Sequence, residues 1–238
     1  MVTLTIDGQR VEASEGSTIL DVARDYNINI PTLCHNDAIA PYGACRLCMV
    51  EISKNGRNKL VASCLYPVED GLEVETQSER VMNSRKVMME FLLARCPDVK
   101  IIQELAREMG VEDTPFEKED SDCILCSMCV RVCAEVVGVS AIGFIGRGVD
   151  RKVGTPFLES PEVCVGCGSC AEICPTEAIK IEDKGNIRTI HNWKVQFELE
   201  KCEGCGRLFA PKAQLEYLRK TSGLPQSFFK LCPDCHKS

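Results

Sequence analysis

Cysteine is the residue type with the clearest chemistry in this chain. Seventeen of the 238 residues are cysteines, and most stand in short C-x2-C runs. Thiolates at this spacing share a metal more readily than they form disulfides across a fold. The odd count, and an N-terminus (MVTLTIDGQR) without the apolar segment of a secretion signal, agree with this interpretation. We therefore expect metal sites in a reducing, cytoplasmic compartment.

The strongest pattern is an internal repeat. Two C-x2-C-x2-C-x3-C runs start at Cys123 and Cys164. This is the spacing of bacterial two-cluster ferredoxins, in which the fourth cysteine of each run binds the other 4Fe–4S cluster. It predicts two crossed ligand sets: Cys123, Cys126, Cys129 and Cys174 for one cluster, and Cys164, Cys167, Cys170 and Cys133 for the other. Structural zinc or disulfides are the weaker alternatives at this duplicated spacing.

A second set stands near the N-terminus and comprises Cys34, Cys45, Cys48 and Cys64. Plant-type 2Fe–2S sites have C-x4-C-x2-C and a distant fourth cysteine, whereas the first gap here is ten residues. The small residues Gly43 and Ala44 would let the backbone approach a cluster. We predict a 2Fe–2S site, with His35 as a neighbour and not a ligand. Zinc is the alternative.

The C-terminal cysteines form two C-x2-C pairs, Cys202 with Cys205 and Cys232 with Cys235. Two such pairs are typical of a structural zinc site. A fourth iron–sulfur cluster is the alternative, because four thiolates suit either metal. His191 and His236 are less favoured ligands.

The surrounding pattern predicts an α+β chain whose first 78 residues form a β-grasp 2Fe–2S domain. Alternating apolar and polar residues flank the hairpin signal Asp7-Gly8, and Ser17 or Thr18 would cap a short helix, Ile19–Tyr26. Three later segments, CMVEIS, LVASC and GLEVET, have the composition of strands.

Three further units are predicted after this domain. Two helices, from Ser78 to Cys96 and from Val99 to Met109, form a connector over residues 79–115, with Val81, Met82, Met88, Phe91 and Leu92 of the first helix inward. A two-cluster 4Fe–4S domain takes residues 116–190, and its start overlaps an acidic linker, Val111–Asp122. A zinc-ribbon-like unit takes residues 191–238.

Other functional classes lack support in the sequence. No G-x-G-x-x-G or Walker A motif occurs, and GFIGRG has the wrong spacing, so no flavin or nicotinamide site is recognised. The formal charge of -7 does not favour nucleic acid. The longest uncharged stretch, Val136–Gly146, is too short to span a bilayer, so direct membrane insertion is not expected.

These motifs together resemble a known family. The run PTLCHNDAIAPYGACRLCMVEI, the cysteine of LVASC and the duplicated ferredoxin motif are similar to the N-terminal part of the large iron–sulfur subunit of respiratory complex I. They equally resemble the small electron-transfer subunit of NAD(P)-reducing hydrogenases, and the corresponding regions of iron-only hydrogenases and NAD-linked formate dehydrogenases. The resemblance covers residues 1–190.

The resemblance implies that electrons pass between a flavoprotein that handles NAD(P)H and another redox subunit or a soluble ferredoxin. The whole complex would be a hydrogenase, a formate dehydrogenase or a flavin-based bifurcating enzyme. An iron–sulfur protein that senses redox state is the alternative, although three clusters favour a relay.

One departure from the family pattern concerns a further 4Fe–4S site, usually held by one histidine and three cysteines. The corresponding region, LLARCPDVKIIQELAREMG, contains Cys96 and no histidine. We therefore do not expect this cluster, and we expect Cys96 to be a buried thiol.

Overall fold

A computed structural model describes residues 1–236, so the last two residues of the predicted C-terminal unit lie outside the described residues. The chain divides into two compact units, the first formed by Met1–Met128 and the second starting at Cys129. Among the described residues, no helix is both long enough and apolar enough to cross a membrane.

The first unit begins with a five-stranded mixed sheet. Its strands are β1 (Val2–Ile6), β2 (Gln9–Ala13), β3 (Met49–Lys54), β4 (Arg57–Ala62) and β5 (Glu73–Glu75). Their order is β2-β1-β5-β3-β4, and only β1 and β5 are parallel. Asp7 and Gly8 both have positive φ, as the tight hairpin between β1 and β2 requires.

Helix α1 (Ile19–Asp25) packs on this sheet. Thr18, and not Ser17, caps it: Asp21 N donates to Thr18 Oγ1 at 3.2 Å, and Thr18 N donates to Asp21 Oδ2 at 2.9 Å. The apolar side chains of α1 join the inward side chains of the strands in one core. This arrangement suits the predicted β-grasp domain.

Two helices follow the sheet, α2 (Glu79–Arg95) and α3 (Lys100–Glu108), close to their predicted bounds. The predicted buried face of α2 is partly wrong, because Met82 and Met88 are only half-buried and Phe91 is exposed. The Arg85 guanidinium is buried instead, and its Nη2 donates to Met49 O at 2.7 Å. This bond turns the Arg85 face of α2 toward β3.

The second unit contains short helices, a hairpin and a four-stranded antiparallel sheet. The sheet has the order β11-β10-β9-β8. The elements are α4 (Met128–Arg131), a π-helix (Val132–Val136), β6 (Gly143–Ile145), β7 (Lys152–Gly154), α5 (Ser169–Glu172), β8 (Ile181–Lys184), β9 (Ile187–Ile190), β10 (Val195–Lys201), β11 (Leu208–Pro211), α6 (Lys212–Thr221) and α7 (Pro233–His236). Short 3₁₀ helices include one at His191–Trp193.

The four-stranded sheet extends across the predicted boundary at residue 190. Strands β9 and β10 pair directly, with Ile190 opposite Val195. The side chains of Ile190, Trp193 and Val195 pack in one core with Cys133 and Cys170. The sheet therefore supports ferredoxin-like cysteines on one side of the boundary and carries Cys202 just after β10 on the other.

Candidate metal centres

The four N-terminal cysteines lie together in the first unit. Cys34 and Cys45 are in the loop between α1 and β3, Cys48 directly precedes β3, and Cys64 follows β4. All four thiols are buried. Their sulfurs form two close pairs, with 3.4 Å between Cys34 Sγ and Cys45 Sγ and 3.4 Å between Cys48 Sγ and Cys64 Sγ.

This pairing fits the ligand requirement of a 2Fe–2S cluster. Four thiolates hold such a cluster, two on each of its two irons. In such a site, Cys34 and Cys45 would bind one iron, and Cys48 and Cys64 would bind the other.

The thiols of each pair also affect each other's acidity. A hydrogen bond from Cys34 lowers the pKa of Cys45 to about 6, and one from Cys64 lowers the pKa of Cys48 to about 6. The same hydrogen bonds, together with burial, raise the pKa of Cys34 and of Cys64. In each pair the hydrogen bond therefore favours the thiolate form of one cysteine, and binding of a metal must displace the proton of the other.

Two buried polar groups lie beside these thiols. The Ser63 hydroxyl is fully buried, and hydrogen bonding from it lowers the pKa of the neighbouring Cys48. His35 Nδ1 is buried without a partner, while its Nε2 lies 3.2 Å from Asp37 Oδ1. A buried polar group without a partner costs about 1–3 kcal/mol, so His35 Nδ1 fits a site that contains further sulfur acceptors.

The loop backbone at Gly43 has no room for a side chain. Gly43 has φ +71°, and an added Cβ would lie 2.5 Å from Leu65 Cδ1. The close neighbour is thus the side chain that follows Cys64. A backbone amide does face sulfur nearby, because Cys45 N donates to Cys34 Sγ at 3.3 Å.

The first ferredoxin-like run lies where the two units meet in sequence. Cys123 and Cys126 belong to the first unit, whereas Cys129 and Cys174 belong to the second. Cys126 and Cys129 are buried, and Cys123 and Cys174 are half-buried. A shared cluster at these four thiols stays a prediction.

The second ligand set lies entirely within the second unit. One cavity is lined by all four of its predicted members, Cys133, Cys164, Cys167 and Cys170. Burial raises the pKa of Cys133 and of Cys164, and raises that of Cys170 to about 11. Cys133 therefore lies with the later run, where the crossed pattern predicts it.

A local irregularity of the helix positions Cys133. The residue lies in the π-helix Val132–Val136, a rare form that is frequent at functional sites. After this helix the chain turns back, and Ala141 N donates to Cys133 Sγ at 3.3 Å. The backbone thus supplies a sulfur-facing amide at this site as well.

The two runs share a backbone conformation although their residue types differ. Leu125 and Ser127 flank Cys126 with φ of 53° and 69°, and Gly166 and Gly168 flank Cys167 with φ of 70° and 83°. Left-handed residues between right-handed ones turn successive amides toward one concave side, which suits an iron–sulfur anion. Glycine takes this conformation without strain, whereas leucine does not.

The C-terminal cysteines form the most compact thiol group. The sulfurs of Cys202, Cys205, Cys232 and Cys235 all lie within 4.8 Å of one another. Within residues 1–236, no other set of three or more candidate ligands has all its ligand atoms this close. Backbone hydrogen bonds, first from Cys205, lower the pKa of Cys202 to about 6.

The distances between these sulfurs can be compared with those around a single zinc ion and around a cluster. Four thiolates around one tetrahedral zinc, each about 2.3 Å from the metal, stand about 3.8 Å apart. Cys205 Sγ and Cys232 Sγ are 3.8 Å apart. A cubane binds each thiolate through a different iron and would spread the sulfurs farther. The spacing therefore fits a single ion better than a 4Fe–4S cluster.

The remaining candidates lie outside these sites. The compact group contains neither His191, whose Nε2 is 3.6 Å from Glu182 Oε2, nor His236, whose ring stacks on Phe228. Cys96 is fully buried at the end of α2, as predicted, and burial raises its pKa to about 12.

Comparison with known families identifies two iron–sulfur domains. Residues 1–79 match the 2Fe-2S iron-sulfur cluster binding domain. Residues 163–207 match the 4Fe-4S dicluster domain. The second match contains the Cys164–Cys174 run together with Cys202 and Cys205, and the Cys123–Cys133 run precedes it.

Curated relatives are longer proteins with related functions. The chain is 33% identical over 211 residues to the NADP-reducing hydrogenase subunit HndD of Solidesulfovibrio fructosivorans, covering 75% of this chain and 36% of that protein. It is 31% identical over 221 residues to the NADH-ubiquinone oxidoreductase 75 kDa subunit of Reclinomonas americana, covering 82% of this chain and 31% of the relative. The chain thus spans about a third of these relatives.

A solved structure gives a match of similar extent. A chain of the NAD+-reducing [NiFe]-hydrogenase in its H2-reduced state aligns with a TM-score of 0.64 and 28% identity, covering 74% of this chain and 86% of that chain. These matches confirm the resemblance inferred from the cysteine motifs. The chain carries regions that match a 2Fe–2S and a 4Fe–4S domain, and it is similar to subunits of an NADP-reducing hydrogenase and an NADH-ubiquinone oxidoreductase and to a chain of an NAD+-reducing [NiFe]-hydrogenase.

Proposed function

We propose that this chain is an electron-relay subunit of a multisubunit NAD(P)H-linked oxidoreductase. The observation that carries the proposal is the similarity, over about three quarters of the chain, to subunits of such enzymes. The sequence has no recognised nicotinamide or flavin motif. Substrate chemistry would therefore take place on other subunits.

The proposed cofactors are one 2Fe–2S cluster and two 4Fe–4S clusters, which supply one-electron transfer when bound. Cys34, Cys45, Cys48 and Cys64 would hold the first, and their two close sulfur pairs support this set. The cavity lined by Cys133 and the later run supports crossed ligation of a 4Fe–4S cluster. The other 4Fe–4S set, Cys123, Cys126, Cys129 and Cys174, rests on the spacing.

We propose zinc at the C-terminal site, in a zinc-ribbon-like unit. The short sulfur–sulfur distances support a single ion. The tight turn around Gly204 supports it too, because an added Cβ would lie 3.3 Å from Cys235 Sγ. A fourth iron–sulfur cluster is the second candidate, since the dicluster match extends over Cys202 and Cys205.

The proposed partners are those that the family resemblance of the cysteine motifs implies. A flavoprotein that handles NAD(P)H would lie at one end of the relay, and a further redox subunit or a soluble ferredoxin would lie at the other. The complex would be a hydrogenase, a formate dehydrogenase or a bifurcating enzyme. A redox-sensing role is the second candidate function, and co-purification with a regulatory target in place of a flavoprotein would favour it.

The crossed ligation can be tested with alanine variants, since alanine binds no iron. Cys133→Ala should lose about four irons and leave the same EPR spectrum as Cys167→Ala, because both would destroy one cluster. Cys126→Ala should give the other spectrum, and Cys96→Ala should keep full iron content. A Cys133→Ala spectrum that matches Cys126→Ala would contradict the crossed assignment.

Metal analysis distinguishes the two candidates at the C-terminal site. The full chain should contain about one zinc, and Cys205→Ala should lose it without losing iron, because a zinc site that loses one of four thiolates binds weakly. His236→Ala, beside the site, should retain zinc. Loss of about four irons in Cys205→Ala would show a fourth cluster there.

The relay role predicts dependence on a flavoprotein. The fully metallated chain should not oxidise NADH or NADPH, even with an artificial acceptor, whereas addition of its co-purifying flavoprotein should allow nicotinamide to reduce the clusters. Stopped-flow absorbance would follow this reduction. Cys48→Ala should interrupt transfer if the 2Fe–2S cluster is a required step, and Cys96→Ala should not. Rapid reduction of the isolated, flavin-free chain by NADH would contradict the relay-only role.

A further inference from the structure

Trp193 carries a buried hydrogen-bond donor beside a predicted cluster ligand. It is the only tryptophan of the chain, and its side chain is 5% exposed. Its indole N–H is buried, and the one group it interacts with as a donor is the thiol of Cys170. Buried donors in native proteins nearly always have a partner, so this one indicates a sulfur acceptor at the site.

The indole lies at the proposed site of a 4Fe–4S cluster. Trp193 lines the same cavity as Cys133, Cys164, Cys167 and Cys170. Apart from Ser169, the other side chains around this cavity are apolar. Trp193 and Cys170 also pack in the same core. Sulfur atoms are therefore the natural acceptors.

The chain holds the indole in this place through its neighbour Asn192. Lys180 N donates to Asn192 Oδ1 at 2.7 Å, and Asn192 Nδ2 donates to Ala178 O at 3.0 Å. His191 N adds a bond to Lys180 O at 3.0 Å. These bonds tie the 3₁₀ helix His191–Trp193 to the segment that follows Cys174, and so fix the base of the tryptophan side chain.

We propose that the Trp193 indole N–H donates a hydrogen bond to a sulfur of the 4Fe–4S cluster held by Cys133, Cys164, Cys167 and Cys170, and so raises its reduction potential. The inference rests on the proposed cluster at these cysteines. The physical reason is charge: reduction adds an electron to an already anionic centre, and a donor to sulfur stabilises the more negative state more strongly. Trp193 would thus be a positioning and tuning residue, not a ligand.

The first test compares two variants of the full, reconstituted chain. Trp193→Phe keeps an aromatic ring and removes the N–H, whereas Ile190→Val trims an apolar residue of the same cavity and removes no donor. EPR-monitored redox titration should show a lower midpoint potential for this cluster in Trp193→Phe. We expect the equilibrium constant for reduction of this cluster to fall about fivefold to tenfold. A tenfold fall corresponds to a midpoint potential about 59 mV lower for one electron. Ile190→Val should shift it by much less.

An unchanged midpoint in a Trp193→Phe chain with full iron content would overturn the inference. An equal shift in both variants would also overturn it, because packing alone would then explain the effect. A cluster absent from the unsubstituted chain would instead refute the proposed site.

A second measurement needs no substitution and serves if Trp193→Phe fails to hold its cluster. Because the chain has one tryptophan, ¹⁵N-indole labelling marks this nitrogen alone. Pulsed EPR on the reduced chain should detect coupling between that ¹⁵N and a reduced 4Fe–4S cluster. Absence of the coupling would overturn the hydrogen bond.

Discussion

Negative thiolates brought together in a buried site repel one another, and a metal centre is what makes such a site stable. The chain brings several cysteines close together at three places: the N-terminal cysteines, the cavity lined by Cys133, and the C-terminal cysteines. At the first of these, hydrogen bonding between thiols lowers the pKa of one member of each pair, so part of the charge exists before a metal arrives. The surrounding structure positions these sulfurs and places hydrogen-bond donors beside them.

The donors come from both backbone and side chains. Amides of Cys45 and Ala141 donate directly to sulfur. Left-handed residues lie on both sides of Cys126 and of Cys167, a pattern that suits loops whose amides face an anion. Two buried side-chain donors, the Ser63 hydroxyl and the Trp193 indole N–H, lie beside cysteine thiols. Sulfur acceptors in bound clusters would account for all of these features together.

The sequence predicts the parts of this account that depend on local spacing. The cysteine runs, the Asp7-Gly8 hairpin and the start of α2 near Ser78 each depend on residues close in the chain, and the structure contains the hairpin and the helix start as predicted. The prediction of the buried face of α2 is partly wrong. Helical periodicity counts only apolar residues, and it gives no sign that Arg85 is buried by a hydrogen bond to Met49 O. Trp193 carried no signal, since its place beside Cys170 depends on a sheet that brings distant segments together.

The central claim is that the thiols of this chain hold one 2Fe–2S and two 4Fe–4S clusters, with no iron at the C-terminal site. Mössbauer spectroscopy of the full chain, assembled anaerobically with ⁵⁷Fe, tests it most directly. One 2Fe–2S and two 4Fe–4S clusters contain about ten irons, so about one fifth of the signal should come from 2Fe–2S iron and about four fifths from 4Fe–4S iron. A spectrum without a 2Fe–2S component, or with only one 4Fe–4S cluster per chain, would contradict the account.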